Sequence, residues 1–151
     1  MHQYIAATLV LATVIQLPKS ANAAPPENAD VLGIWTLTRI LDSAEITSMN
    51  DREAARLVGK TLIVQPDNVV IAGETCGESD FERHREPAAR YIRENYHAPV
   101  GRLGLRDTIT VVNLGCTEAL LKGKNKMVVF WDGFFYDAEK RSDTPVQQAR
   151  R

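Results

Sequence analysis

The most informative segment of this chain is residues 127–138, MVVFWDGFFYDA. Asp132-Gly133 separates two runs of apolar and aromatic residues, a pattern that predicts a hairpin with a two-residue turn. The turn sets the register, because side chains alternate between the two faces of a strand. One face then holds three facing apolar pairs: Trp131 with Phe134, Val129 with Tyr136, and Met127 with Ala138. The other face carries Phe130 and Phe135 beside Asp137, so we expect a helix or loop to cover part of it.

Shorter β-rich runs precede this hairpin. Residues 61–64 and 69–72 flank Pro66, which presets a turn, so they predict a second hairpin. Residues 32–41 predict the first strand, and period-two alternation puts Trp35, Leu37 and Leu41 on one side, with Thr36, Thr38 and Ile40 on the other. Further strand-like runs are residues 81–85, which are polar enough for a sheet edge, 108–114 and 119–122.

Two short helices are predicted between the strands. Asn50 is followed three residues later by Glu53, the pattern of a capping box, and an apolar stripe then runs to Gly59. Pro87 suits the first position of a second helix, which reaches about Tyr96. Residues 98–106 contain one proline and two glycines and predict a loop, which we expect to be mobile.

Seven or eight short strands with two inserted helices predict a mainly β fold, and favour a closed or nearly closed antiparallel barrel. An α/β fold is disfavoured because the alternating order of strands and helices is absent. The predicted domain covers residues 32–141. Residues 24–31, which are polar and rich in proline, predict a disordered lead, and residues 142–151 predict a disordered tail.

The first 23 residues have the pattern of a cleavable secretory signal. An apolar run over residues 4–17 is too short to span a bilayer, and Pro18 ends it. Small residues at Ala21 and Ala23 predict cleavage before Ala24, with no membrane anchor afterwards. One feature departs from the pattern, because residues 1–3 contain no Lys or Arg. We expect an exported protein, in a periplasm or outside the cell.

The two cysteines, Cys76 and Cys116, both follow the predicted cleavage point. An exported chain with two cysteines has one internal pairing, so a disulfide is expected. It would close a loop of about 40 residues and contribute roughly 4 kcal/mol through the entropy of the unfolded chain. The alternative is a redox-active or metal-bound pair, which the absence of a C-x-x-C spacing disfavours.

The sequence Gly33-Ile34-Trp35 in the first strand, the aromatic final hairpin, and the basic residues Lys140 and Arg141 resemble the lipocalin-like (calycin-type) barrels, in particular small exported bacterial members. The resemblance implies a barrel in which Trp35 packs at the closed end. It also implies that Lys140 or Arg141 covers the Trp35 ring as a cation. The chain is shorter than the larger members, and its inserted helices depart from their pattern.

Motifs for common chemistries are absent. Only His84 and His97 follow the predicted cleavage point, without metal-ligand spacing, so neither a metal site nor a cofactor is predicted. No nucleophile motif or phosphate-binding glycine loop occurs. With 18 basic and 19 acidic side chains, the composition does not indicate nucleic-acid binding. Two carboxylate pairs, Glu74 with Glu78 and Glu118 with Asp137, could supply acid and base groups if the fold brought them together.

The aromatic side chains are the candidate ligand-binding residues, because barrels of about eight strands can hold one small apolar molecule. They are Trp35, Trp131, Phe134 and Tyr136. The alternative is that these side chains fill the core, which a domain of this size favours.

Three functions follow from these observations. The first is a non-enzymatic exported binding module that holds a small apolar ligand or docks on an envelope partner. The second is a protein inhibitor of an envelope or host hydrolase such as a lysozyme, acting through residues 77–80 and 98–106. The third is a small hydrolase that uses paired carboxylates.

Overall fold

The computed structural model describes residues 27–141, which form one antiparallel sheet of nine strands and two short helices. The helices are α1 (Asp51–Leu57) and α2 (Ala88–Tyr96). The strands are β1 (Gly33–Ser43), β2 (Thr61–Gln65), β3 (Asn68–Ile71), β4 (Glu74–Gly77), β5 (Arg83–Pro87), β6 (Thr108–Asn113), β7 (Glu118–Gly123), β8 (Lys126–Trp131) and β9 (Phe134–Lys140). The predicted mainly β fold with two helices is confirmed, with nine strands instead of seven or eight. The predicted leader, residues 1–23, and the tail, residues 142–151, lie outside the described residues.

The sheet consists of two meanders that meet in its middle. The strand order is β4-β3-β2-β1-β9-β8-β7-β6-β5, so β1 and β9 are neighbours and β4 and β5 are the two edges. No ladder joins β4 to β5 within residues 27–141, and the sheet is therefore open. β5 is an edge strand, as its polar sequence predicts.

The final hairpin has the predicted register. Trp131 pairs with Phe134, Val129 with Tyr136 and Met127 with Ala138. Both turn residues adopt positive φ, 50° at Asp132 and 92° at Gly133. These angles suit the two-residue turns whose twist matches that of the flanking strands, which explains why Asp-Gly was informative.

β4 is a strand that the sequence pattern does not separate from β3. Ile71 pairs with Glu74 across a turn of two residues, Ala72 and Gly73, with φ values of 51° and 94°. Alanine rarely adopts a positive φ, so Ala-Gly gives a much weaker turn signal than Asn-Gly or Asp-Gly.

β1 contains two register shifts against β9, one between Leu37 and Arg39 and one between Ile40 and Asp42. A bulge adds one residue to a strand and reverses the alternation beyond it. Ile40 therefore packs with the core that contains Leu37, and Leu41 packs on the opposite face. The predicted assignment of Ile40 and Leu41 to the two faces is wrong for this reason.

The inner face of the sheet packs against itself. Strands of both meanders contribute to one apolar cluster, which includes Trp35, Leu62, Ile71, Val112 and Tyr136. Side chains from opposite halves of an open sheet can share one core only if the sheet curls. The predicted apolar hairpin face lies in this inner core.

The outer face of β6 to β9 is covered by α2 and by residues 97–107. Ile92 of α2 and Leu103 of the following segment are fully buried, in one cluster with Val128 and Phe135. The expected cover over the outer hairpin face is therefore present. Residues 98–106, which we expected to form a mobile loop, pack into this outer core through Leu103.

Each end of the curled sheet has its own cover. At one end Tyr136 Oη donates a hydrogen bond to the carbonyl of Ala54 in α1, at 3.2 Å. At the other, residues 27–31 form a turn in which Val31 is fully buried. The predicted disordered lead thus includes an ordered part, because Trp35 Nε1 donates to the Val31 carbonyl at 2.7 Å and Arg83 binds Asp30.

The disulfide between Cys76 and Cys116 is confirmed, with Cα atoms 5.2 Å apart. It joins the edge strand β4 to the turn between β6 and β7. Ser79 Oγ strengthens the same junction by donating to the Asn113 carbonyl at 2.7 Å. The β4 edge is thus held close to the other half of the sheet, although no ladder joins β4 to β5.

Candidate functional site

The four predicted ligand-binding side chains lie on the inner side of the sheet. Trp35 and Tyr136 are fully buried, Phe134 is almost so, and Trp131 is half-buried. Trp35 and Tyr136 also direct their polar atoms to backbone carbonyls of the chain itself. Buried aromatic side chains with satisfied polar atoms favour the core-filling alternative. A ligand site at these four residues stays a prediction.

The structure brings a different group together on the outer face. Glu118 at the start of β7 lies below the C-terminal half of α2. Tyr91 Oη donates to Glu118 Oε2 at 2.7 Å, and Tyr96 Oη donates to the same oxygen. Among residues 27–141 no side chain donates to the other oxygen, Oε1. One carboxylate oxygen is therefore saturated, and the second is available to a donor.

The backbone explains why these groups meet. Asn113 pairs with Glu118 in the β6–β7 ladder, and Phe130 pairs with Phe135 in the β8–β9 ladder. α2 ends at Tyr96 because His97 adopts the left-handed conformation, with φ 50°, and donates its N–H to the Arg93 carbonyl. The last helical side chain thereby lies over the strand ends.

Tyr96 and Phe130 form an aromatic wall between two clefts, with ring centroids 4.5 Å apart. We call this pair the Tyr96–Phe130 wall. On one side is a cleft of about 390 Å³, lined mainly by polar groups: Asn95, Tyr96, Asn113, Gly115, Cys116, Thr117, Glu118 and Phe130. On the other is a cleft of about 270 Å³, lined by Ala44, Glu45, Ile46, Asn95, Tyr96, His97 and Phe130.

The second cleft has an apolar side. Ile46 is 86% exposed at its rim, so its side chain is available for contact with a ligand. Phe130 is half-buried and presents its ring to both clefts. An apolar surface next to a carboxylate with one available oxygen suits a ligand that has both an apolar body and a hydrogen-bond donor.

Burial keeps the two tyrosines neutral. It raises the pKa of Tyr96 well above its usual range, and the hydrogen bond to Glu118 acts in the same direction. The pKa of Tyr91 is raised by the same two causes, in the same order. Both side chains therefore act as hydrogen-bond donors, and neither is a base at neutral pH.

The structure does not bring the predicted carboxylate pairs together in a shared site. Asp137 is buried and binds Lys122 Nζ at 2.9 Å and Arg39 at 3.3 Å, whereas Glu118 binds tyrosines. Glu118, Leu120 and Lys122 lie in that order on one face of β7. Leu120 therefore separates Glu118 from Lys122, the residue that binds Asp137. Glu74 and Glu78 are exposed at the ends of β4. These arrangements do not favour paired-carboxylate catalysis.

Residues 27–141 hold no group of three or more His, Cys, Asp or Glu side chains placed to bind a metal ion. In the same range, neither helix is long and apolar enough to cross a membrane.

The sequence predicts a helix that reaches about Tyr96 and offers Glu118 as a partner of Asp137, but it does not join Tyr96 to Glu118. The available signal was the outer hairpin face, where Phe130 and Phe135 required a cover. The sequence does not show that α2 covers this face, because that depends on the order of the strands in the sheet. No family model, curated protein sequence or solved structure matches the chain.

Proposed function

We propose that this chain is an exported, non-enzymatic binding module that holds a small amphipathic molecule at the Tyr96–Phe130 wall. The observation that carries the proposal is the pair of clefts on the two sides of this wall, one apolar at Ile46 and one polar at Glu118. Export is supported by the leader pattern, and a disulfide is typical of an oxidising compartment.

We further propose that the curled sheet is an open relative of the lipocalin-like barrels. Lys140 Nζ lies 5.5 Å from the centre of the Trp35 ring, the contact that the resemblance implied. Lys140 also donates to the Ala29 carbonyl at 2.8 Å, so the cation holds the N-terminal turn against the ring. These contacts support the resemblance at the covered end.

The size of the apolar cleft limits the ligand. A volume of about 270 Å³ is below the usual range for drug-sized molecules, so the apolar body has one or two rings or an equivalent short chain. An N–H or O–H group on that body would reach the polar side and donate to Glu118 Oε1. A ligand with an anionic group at this position would be repelled by the Glu118 carboxylate.

Titration with 1-naphthylamine, a neutral two-ring aromatic amine, tests the proposal. We expect a saturable shift of its fluorescence to shorter wavelength as the ring leaves water. Ile46→Ser should weaken binding roughly tenfold, since it removes most of an apolar side chain worth about 1.5 kcal/mol or more on burial. Ile46 is exposed, so this change leaves the core intact.

Trp131→Phe is the matched control, because Trp131 adjoins Phe130 in sequence but lies on the inner face. We expect it to leave the affinity unchanged. Absence of saturable binding would contradict the proposal. Loss of binding in Trp131→Phe with normal binding in Ile46→Ser would instead place the ligand among the inner aromatic side chains.

Inhibition of an envelope or host hydrolase is the second proposal. Residues 77–80 support it, since Glu78 and Asp80 are exposed beside the disulfide junction. Residues 98–106 support it less, because Leu103 holds them in the outer core. Affinity capture from envelope extract, with Glu78→Lys/Asp80→Lys as control, should recover a hydrolase only with the unaltered chain.

A further inference from the structure

A basic cleft lies at one end of the strands, where β5 and β7 end and β6 begins. It measures about 330 Å³, and its lining comprises Asp30, Arg85, Arg106, Thr108, Thr110, Leu121, Lys122, Gly123 and Lys124. Thr108 and Thr110 alternate with Ile109 and Val111, which belong to the outer core. Both threonines are therefore on the inner face, whereas Lys122 lies on the outer face of β7, so the cleft is at the strand ends. It lies at the opposite end of β7 from Glu118 and the Tyr96–Phe130 wall.

The charges around this cleft do not cancel. Asp30 is its only acidic lining residue, and both Asp30 oxygens accept hydrogen bonds from Arg83 at 2.7 Å. Lys122 binds Asp137 at 2.9 Å. Within residues 27–141 no carboxylate lies within 4.0 Å of Arg85, Arg106 or Lys124. Three positive charges thus surround one depression.

The sheet positions the donors. Arg85 pairs with Thr110 in the β5–β6 ladder, so the two side chains are direct neighbours on one face. Thr108 lies on the same face, two residues from Thr110, and Arg106 and Lys124 approach from the flanking turns. Guanidinium groups and hydroxyls are donors that suit the oxygens of a tetrahedral anion.

We propose that this cleft binds a phosphate-type oxyanion, either as a small soluble phosphate ester or as a lipid headgroup. Arg85 supplies the central charge, Thr110 a hydroxyl donor, and Arg106 and Lys124 the surrounding potential. The volume exceeds that of a single phosphate ion and leaves room for a small substituent. The site is independent of the function proposed above.

Titration of the isotope-labelled protein with inorganic phosphate tests the site. In low salt we expect saturable shifts of the Thr108 and Thr110 backbone amide signals below about 10 mM phosphate, and weaker binding as salt screens the charges. Arg85→Gln should weaken binding roughly tenfold, as expected for loss of a charge-assisted hydrogen bond. Arg56→Gln, an equal charge change on the exposed face of α1, should leave it unchanged.

Sedimentation with vesicles separates the two sources. If the protein binds vesicles of phosphatidylglycerol but not phosphatidylcholine, and Arg85→Gln abolishes this binding, the anion is a headgroup. If only free phosphate binds, the ligand is soluble. Absence of both, or equal binding by Arg85→Gln and the unaltered chain, would overturn the proposal. An unchanged circular dichroism spectrum of Arg85→Gln confirms that it is folded.

Discussion

The Tyr96 hydroxyl donates a hydrogen bond to Glu118, and the Tyr96 ring packs on Phe130. This one side chain therefore joins α2 to β7 and forms part of the wall between two clefts. The wall depends on a neutral hydroxyl, because a phenolate would be repelled by the carboxylate. Its geometry is therefore linked to the protonation of the tyrosine.

Stability should fall at high pH. Burial raises the pKa of Tyr96 and Tyr91 above the usual range, and raises that of Tyr136 to about 12, compared with 10.0 in an unfolded chain. Above pH 10.0 the unfolded chain loses protons that the folded chain keeps, so the free energy of unfolding decreases from there towards pH 12. Urea titrations between these values measure it.

Tyr96→Phe provides the control for this pH dependence. It should reduce the slope above pH 10.0, since one of the tyrosines with a raised pKa is gone. At neutral pH the same variant should be less stable by about 1.5 kcal/mol, because it loses a hydrogen bond to a carboxylate. An unchanged slope would show that Tyr96 ionises in the folded chain as it does in the unfolded one.

Loss of the disulfide should destabilise the chain by roughly 4 kcal/mol, the value for a loop of this length. Cys76→Ser/Cys116→Ser, compared with the unaltered chain in denaturant, measures the difference. A reductant should lower the stability of the unaltered chain to that of the variant and leave the variant unchanged. Free thiols in the native product would contradict the expectation.

Two turn glycines should respond differently to alanine. Gly73 and Gly133 have φ values of 94° and 92° and end two-residue turns, but an added Cβ meets nothing within 4 Å at Gly73 and lies 2.5 Å from Thr47 Cα at Gly133. We expect Gly73→Ala to lower the free energy of unfolding by about 1 kcal/mol through backbone strain. Gly133→Ala should lower it by about 3 kcal/mol, because a clash with Thr47 is added. Thermal unfolding of both variants tests this difference.

Two acidic residues of β9 form a second matched comparison. Asp137 is buried and binds Lys122, whereas Glu139 binds Lys126 in an exposed pair. Asp137→Asn should lower the free energy of unfolding by about 3 kcal/mol, because it leaves Lys122 largely buried without its counter-charge. Glu139→Gln should have a much smaller effect, because its ion pair is exposed. Equal costs would show that the Lys122 ammonium reaches water in the variant.

The parts of the fold that local chemistry determines were predictable. The Asp132-Gly133 turn fixed one hairpin, and the Asn50 and Glu53 side chains each bond the other's backbone N–H, as the capping box requires. Bulges in β1 and the Ala72-Gly73 turn were not predictable, because neither has a strong composition signal. The positions of the two bulges depend on how β1 pairs with β9, which is distant in sequence.

The outer site required knowledge of strand order. Glu118 and Phe130 become neighbours through the β7–β8 ladder, and Tyr96 reaches them only because α2 crosses that face. Nothing in the spacing of these three residues indicates a cluster. The basic cleft is similar, since Arg85 and Thr110 meet through the β5–β6 pairing.

The contact between β1 and β9 bears on how the chain acquires its structure. Thr38 Oγ1 donates to the Asp137 carbonyl across a separation of 99 residues, so the first meander can form early but joins the second only when the last strand, β9, is present. A nascent chain would thus remain incomplete until β9 emerges from the ribosome.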